Sequence, residues 1–111
     1  MDPLLARGIE LFNRRQFFEA HEVWEQAWTP ERNPRRLFLQ SLIHVTVGAY
    51  HATRGNPDGA GRQLRKALRK MEPYLPAYEG VDLVQLRLDT LRLLETVERG
   101  EPRCGFAIIK A

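Results

Sequence analysis

The sequence predicts an all-α, single-domain bundle of about five helices, and three observations carry that expectation. Apolar residues recur at helical spacing along nearly the whole chain, and almost nothing alternates with the period of two that a half-buried strand needs. Most periodic stretches are opened by a capping residue or proline, or closed by glycine or proline. The run 37–53 carries no formal charge, which makes the third helix the buried, central one. A chain of 111 residues that is 43% hydrophobic and 28% charged can enclose one core, so one domain spanning 1–111 is expected.

The elements follow in order. Asp2 and Pro3 supply an N-cap and a first-turn proline for a helix running to about Asn13, with Leu5, Gly8, Ile9 and Phe12 on one face. A turn over 14–16 leads into a second helix over 17–28. Pro30 and Pro34 punctuate the next loop, and Asn33 is the expected cap of the long third helix, which stops at Gly55. Asn56 and Pro57 start the fourth at once, with Ala60, Leu64, Ala67, Leu68 and Met71 on its core side. The loop 73–80 holds Pro73, Tyr74, Pro76 and Tyr78 and must bend the chain sharply. Asp82 with Gln85 forms a capping-box pattern opening a fifth helix over 83–99, ended by Gly100 and Pro102. The short apolar tail 106–109 is expected to dock back on the bundle.

Composition narrows the setting. The single cysteine, Cys104, excludes an internal disulfide and suits a reducing cytoplasm. No signal peptide is expected, because Asp2 and Pro3 follow Met1 and Glu10 breaks the early apolar stretch. The run 37–53 is too short, and too rich in Gln, Ser, His and Thr, for a membrane span of about 20 apolar residues, so no membrane partner is expected. Net charge is +3, from 17 basic and 14 acidic residues, and among the basic ones Arg far outnumbers Lys, which fits phosphate binding and equally fits genomic base composition.

The third helix carries a narrow polar seam. At about 100° per residue, Gln40, His44 and His51 fall within roughly 40° of one another, with Val47 and Gly48 on the same stripe. The neighbour expected against this seam is the second helix. There Phe17, Ala20, His21, Trp24, Ala27 and Trp28 share one broad face, Glu19, Glu22 and Gln26 point away, and Glu25 sits on the shoulder. His21 and Glu25 stand at i, i+4, a spacing that can chelate a metal from one helix face, and Glu22 follows the histidine. The string His-Glu-Val-Trp-Glu is similar to the zincin arrangement, with Glu25 where that motif has its second histidine.

These residues also identify a family resemblance. The run from Arg15 to Glu25, Arg-Gln-Phe-Phe-Glu-Ala-His-Glu-Val-Trp-Glu, with Trp28 following, resembles the signature of the bacterial and archaeal domain of unknown function 309 proteins. Leu39-Gln40-Ser41-Leu42-Ile43, then Ala49-Tyr50-His51, Arg54-Gly55-Asn56 and Gly59-Ala60 resemble its second hallmark, and Gly80-Val81-Asp82 its entry to the last helix. The resemblance implies a small all-helical bundle and nominates Glu19, His21, Glu22, Glu25, Trp28 and Gln40 as site residues. It implies no reaction. Ser41 stands where such sequences often have glycine, which implies a wider helix contact there.

Three readings of the seam follow. His21, Gln40, His44 and Glu25 can satisfy one another and fix the register of two packed helices. A divalent metal can be held by His21, Glu25 and His44, or with His51 replacing His44, as a small metal-assisted hydrolase would require. A metal-free acid–base pocket can pair His21 with an orienting glutamate. The sequence supports best a binding or interaction module with a pocket between helices 2 and 3, drawn from Glu19, His21, Glu22, Glu25, Trp28, Gln40, His44 and His51, for a small-molecule ligand it does not name.

Two surfaces complete the reading. Arg62, Arg65, Lys66, Arg69 and Lys70 form a basic stripe on the fourth helix. It is a candidate face for nucleic acid or for an acidic partner; nucleic acid is not favoured, because no aromatic residue interleaves to stack on bases. On the fifth helix, Leu83, Leu86, Leu93, Leu94 and Val97 make one apolar stripe and Val84, Leu88 and Leu91 a second. A second stripe receives the tail or forms a partner surface, and a homodimer is the expected arrangement.

Overall fold

The computed structural model describes residues 1–100 and 109–110. Its elements are α1 (Pro3–Asn13), α2 (Phe17–Trp28), α3 (Arg35–Thr53), α4 (Pro57–Met71), a 3-10 turn (Glu72–Tyr74), β1 (Ala77–Tyr78), β2 (Val81–Asp82) and α5 (Leu83–Glu98). The protein is all-α, with five α-helices among the described residues, as the periodicity predicts.

Local chemistry explains most of the helix starts. The Asp2 carboxylate accepts from the amides of Leu4 at 2.8 Å and Leu5 at 3.2 Å. Asn56 accepts from Gly59 N at 3.0 Å, and Asp82 from Gln85 N at 3.0 Å. These bonds satisfy amides that a helix leaves without intrahelical partners. Two expectations need correction. Asn33 does not cap α3: Pro34 occupies that position without a side-chain bond, and Arg36 N donates to Arg32 O at 3.0 Å instead. The capping box at α5 is half made, because Gln85 turns forward and donates to both Asp89 oxygens at 3.2 Å. Asp89 is only 5% exposed and its buried carboxylate needs donors, while the Asp82 amide already has an acceptor in Lys110 O at 2.9 Å.

The two-residue strands were not expected from the sequence. Ala77 pairs with Asp82 and Tyr78 with Val81 in an antiparallel hairpin, closed by Glu79 and Gly80 at φ 48° and 80°. Both values lie in the left-handed region that primed hairpin turns require. Strands of two residues carry no readable period.

The chain closes around Trp24 and α3. Trp24 is fully buried, and its indole N–H donates to the Leu5 carbonyl at 3.3 Å. It lies where a side chain on Gly8 would be: a Cβ there would meet Trp24 Nε1 at 1.9 Å. α3 packs against α2, α4 and α5 and buries Phe38, Leu39, Leu42, Val45 and Ala49 completely. Ser41 is also fully buried, and its hydroxyl donates within its own helix to Phe38 O at 2.6 Å, so it brings no unsatisfied group to the contact.

One arginine ties distant segments together. Arg35, at the start of α3, reaches Glu79 of the hairpin at 2.6 Å, Glu31 of the preceding loop at 2.8 Å and the Asp2 cap at 3.3 Å. A guanidinium shared by three carboxylates costs less side-chain entropy per contact than three separate pairs. The tail makes a second tie: Asn13 exchanges hydrogen bonds with Ile109 at 3.1 and 2.8 Å, and Asp82 N donates to Lys110 O at 2.9 Å. Ile109 is buried, as the docking expectation requires of it; residues 106–108 lie outside the described residues. The second α5 stripe stays open, with Val84, Leu88 and Leu91 at 49%, 45% and 40% exposure. Among the described residues no helix is long and apolar enough to cross a membrane.

Replacing Gly8 by Ala should force α1 and α2 apart and destabilise the fold by about 1–3 kcal/mol, the usual cost of overpacking. Urea unfolding measures it, and an unchanged midpoint would contradict the close contact between Gly8 and Trp24.

Candidate functional site

The face of α2 that meets the core is set by Phe17, Ala20, Trp24 and Ala27, all buried. His21 lies on the flank of that face and is half-buried, while Glu19, Glu22, Glu25 and Gln26 are exposed. His21 Nε2 meets Glu25 Oε1 at 3.1 Å, the i, i+4 pair that the spacing predicts. Beside this pair is a cavity of about 190 Å³ lined by Phe17, Phe18, His21, Val47, Tyr50 and His51. The second helix therefore contributes His21 and the third contributes Val47 and His51 to a common wall.

Aromatic rings run around this cavity in a chain. Phe18 lies 6.1 Å from the His21 ring and 6.1 Å from Tyr50, and Tyr50 lies 6.2 Å from His51, all tilted. Phe18 is 51% exposed, so its ring stands at the mouth of the cavity with one side open to solvent. A more open cleft of about 630 Å³ adjoins the cavity through Phe17, Phe18 and Tyr50, and is also lined by Arg15, Glu19 and Arg54. Arg54 is held in place, with Nη2 donating to Tyr50 Oη at 2.8 Å and its guanidinium 5.0 Å above the Tyr50 ring.

The protonation of His51 follows from its partner. Asn56 Oδ1 accepts from Gly59 N at 3.0 Å, so its Nδ2 faces His51 Nδ1, at 3.4 Å. An amide nitrogen only donates. His51 Nδ1 therefore accepts, and the neutral ring carries its proton on Nε2.

His44 turns to α4. Its Nε2 lies 2.9 Å from Lys70 Nζ and its Nδ1 2.7 Å from Gln63 Oε1. An ammonium has donors only, so Nε2 accepts, Nδ1 carries the proton and donates to Gln63. This corrects the expectation that His21 meets His44 or Gln40: no described hydrogen bond joins them, and the metal set His21, Glu25 and His44 does not assemble. Among the described residues no group of three His, Cys, Asp or Glu side chains could hold a metal ion. The reason is rotational. Gly48 brings α4 close, with Leu64 side-chain atoms at 2.6 Å from where its Cβ would stand, and the His44 edge of the stripe falls on that side.

The other nominated residues are dispersed. Gln40 is half-buried one turn before His44. Trp28 lies away from the cavity, under the Arg36 guanidinium at 3.9 Å. Glu22 is exposed, and Glu19 borders the open cleft without lining the cavity. Phe18, Tyr50 and Arg54 are the lining residues that the wheels passed over. Phe18 carries a readable signal, since it is a large apolar residue on the side of α2 that otherwise bears Glu22 and Glu25.

On α4, Arg62, Lys66 and Arg69 are exposed and have no ion pair among the described residues. Arg65 bridges Glu98 at 2.6 Å, and Lys70 turns inward to His44. The basic stripe is thus three exposed cations and two engaged ones.

A family model described as Domain of unknown function (DUF309) matches residues 5–63, more than half of the chain, and the chain belongs to that family. The match includes most of α1 and all of α2 and α3, hence both walls of the cavity. The chain is similar to an uncharacterized protein of Aquifex aeolicus, 26% identical over 100 residues, which are 89% of this chain and 30% of that protein. It is also similar to the uncharacterized protein YpuF of Bacillus subtilis, 31% identical over 91 residues, 81% of this chain and 49% of the relative. The chain thus spans half or less of the length of both relatives.

Burial lowers the His44 pKa below the ordinary histidine value, and the cations of Lys70, Lys66 and Arg69 lower it further, against the Gln63 hydrogen bond that raises it. The unfolded chain then takes up a proton that the folded protein resists. Stability is complete above the unfolded value, about 6.5, and falls as pH drops below it until the folded value is passed. Between about pH 7.5 and about pH 5.5, which bracket that value, the urea midpoint should fall more for the wild type than for His44→Gln. Equal losses would contradict this account.

Proposed function

We propose that this member of the family is a binding module whose ligand places a flat heteroaromatic ring in the α2–α3 cavity, between His21 and His51. The rest of the ligand lies over the adjoining cleft bordered by Arg15 and Arg54. The observation that carries the reading is Phe18, half exposed at the mouth of an apolar cavity and continuous with three other rings. A cavity of about 190 Å³ is below the usual range for drug-sized ligands, about 300–1,000 Å³, so it suits one ring rather than a whole molecule. The two imidazoles supply polar groups in an otherwise apolar wall, and Glu25 orients one of them. The same His21–Glu25 pair, at 3.1 Å beside the cavity, favours acid–base chemistry on the bound molecule as a second reading.

Indole is a suitable probe. In a titration followed by backbone amide shifts, changes should concentrate on Phe18, His21, Val47, Tyr50 and His51. Val47→Phe, which fills the cavity, should weaken binding about tenfold or more, the equivalent of about 1.4 kcal/mol. Shifts centred elsewhere, or binding untouched by the substitution, would overturn the assignment.

To the same reading belong a cytoplasmic setting, on the strength of the lone Cys104, and a two-fold homodimer. The dimer is supported by the three exposed apolar side chains of one α5 stripe, Val84, Leu88 and Leu91. Sedimentation at micromolar concentration should give a dimer that Leu88→Glu converts to folded monomer. A wild-type monomer would rule it out.

A further inference from the structure

The cavity site uses neither His44 nor the cations of α4, and these form a second cluster with its own chemistry. We propose that Lys70 is a reactive amine that condenses with a phosphorylated aldehyde, with His44 as its proton acceptor and Lys66 and Arg69 as the seat for the phosphate. Lys70 Nζ meets no carboxylate among the described residues; its partner at 2.9 Å is the unprotonated Nε2 of His44. Gln63 fixes that tautomer by accepting from Nδ1 at 2.7 Å. The acids on neighbouring segments are engaged elsewhere. Glu72 of the 3-10 turn faces Arg87 of α5 at 3.7 Å, and Asp89 of α5 is held by Gln85 and Arg92.

The setting therefore eases loss of the ammonium proton. Burial, and then the charges of Lys66 and Arg69, push Lys70 below the ordinary lysine range, the same arrangement that makes lysines nucleophilic beside other cations. The exposed Lys66 and Arg69 that disfavour the ammonium would attract a phosphate.

The step balances without an outside reagent. The Lys70 ammonium passes a proton along its hydrogen bond to His44 Nε2, a transient state because burial keeps that ring neutral at rest, and the freed amine lone pair attacks the carbonyl carbon while the carbonyl pair moves to oxygen. A proton moves from nitrogen to that oxygen, giving a carbinolamine. His44 returns its proton to the hydroxyl, water leaves, and the nitrogen lone pair forms the C=N bond. The products are a protonated imine and water, with His44 neutral as at the start.

The chain contains three lysines, Lys66, Lys70 and Lys110, so the test carries its own controls. Folded wild-type protein is treated with pyridoxal 5′-phosphate at neutral pH and reduced with borohydride, and label is assigned by peptide mass spectrometry. A several-fold excess at Lys70 over Lys66 and Lys110 is expected. Unphosphorylated pyridoxal should label Lys70 several-fold less. In His44→Leu, with the fold verified by circular dichroism, Lys70 should fall to the level of Lys66. Label spread evenly, or favouring Lys66, overturns the proposal without recourse to any variant. Equal labelling by the two aldehydes overturns the phosphate seat, and undiminished labelling of folded His44→Leu overturns the role of the histidine.

Discussion

The Trp24 indole seated over Gly8 is the contact on which the arrangement of the first three helices depends. A side chain at position 8 would occupy the space of the ring, and the indole N–H takes the Leu5 carbonyl as its acceptor. Both the depth and the direction of the tryptophan are therefore fixed, and with them the rotation of α2 about its own axis. Once Trp24 points at α1, the flank that carries Phe18 and His21 must turn toward the C-terminal half of α3. The cavity is a consequence of that rotation.

α3 then serves two neighbours from one polar stripe. Its Val47 and His51 edge meets α2, while His44 and Gly48 face α4. The division makes chemical sense, because each imidazole finds a partner of the right kind. His51 accepts from an amide that also caps α4, so the start of the fourth helix and the tautomer of a cavity residue are set by the same Asn56 side chain. His44 sits between Gln63 and Lys70, where a second proton on its ring would face a cation. Burial and repulsion both keep it neutral.

Much of this was legible before the structure. The bounds of α1 and α2, the caps at Asp2, Asn56 and Asp82, the buried character of α3 and the two stripes of α5 follow from periodicity and capping chemistry, which act within a few residues of the chain. The His21–Glu25 pair was legible for the same reason, since four residues on a helix bring two side chains together whatever surrounds them. Asn33 shows where this local reasoning fails: a residue with the right chemistry stands in the right place, yet the amide of Arg36 finds a loop carbonyl first.

Residues close together in the chain therefore set the helices, their apolar faces and the pairs that one helix holds within itself. Which neighbour each polar edge meets was decided only by tertiary structure. A helical wheel gives a direction relative to its own axis, and His44 and His51 lie close together on that wheel. Two helices packed on either side of α3 separate them, so a difference of a few tens of degrees sends one histidine to Lys70 and the other to the cavity of His21. Phe18 belongs to the same class. Its position on the polar side of α2 could be read from the sequence, but not that Tyr50, held by Arg54, would stand opposite it, because that contact joins residues 32 positions apart.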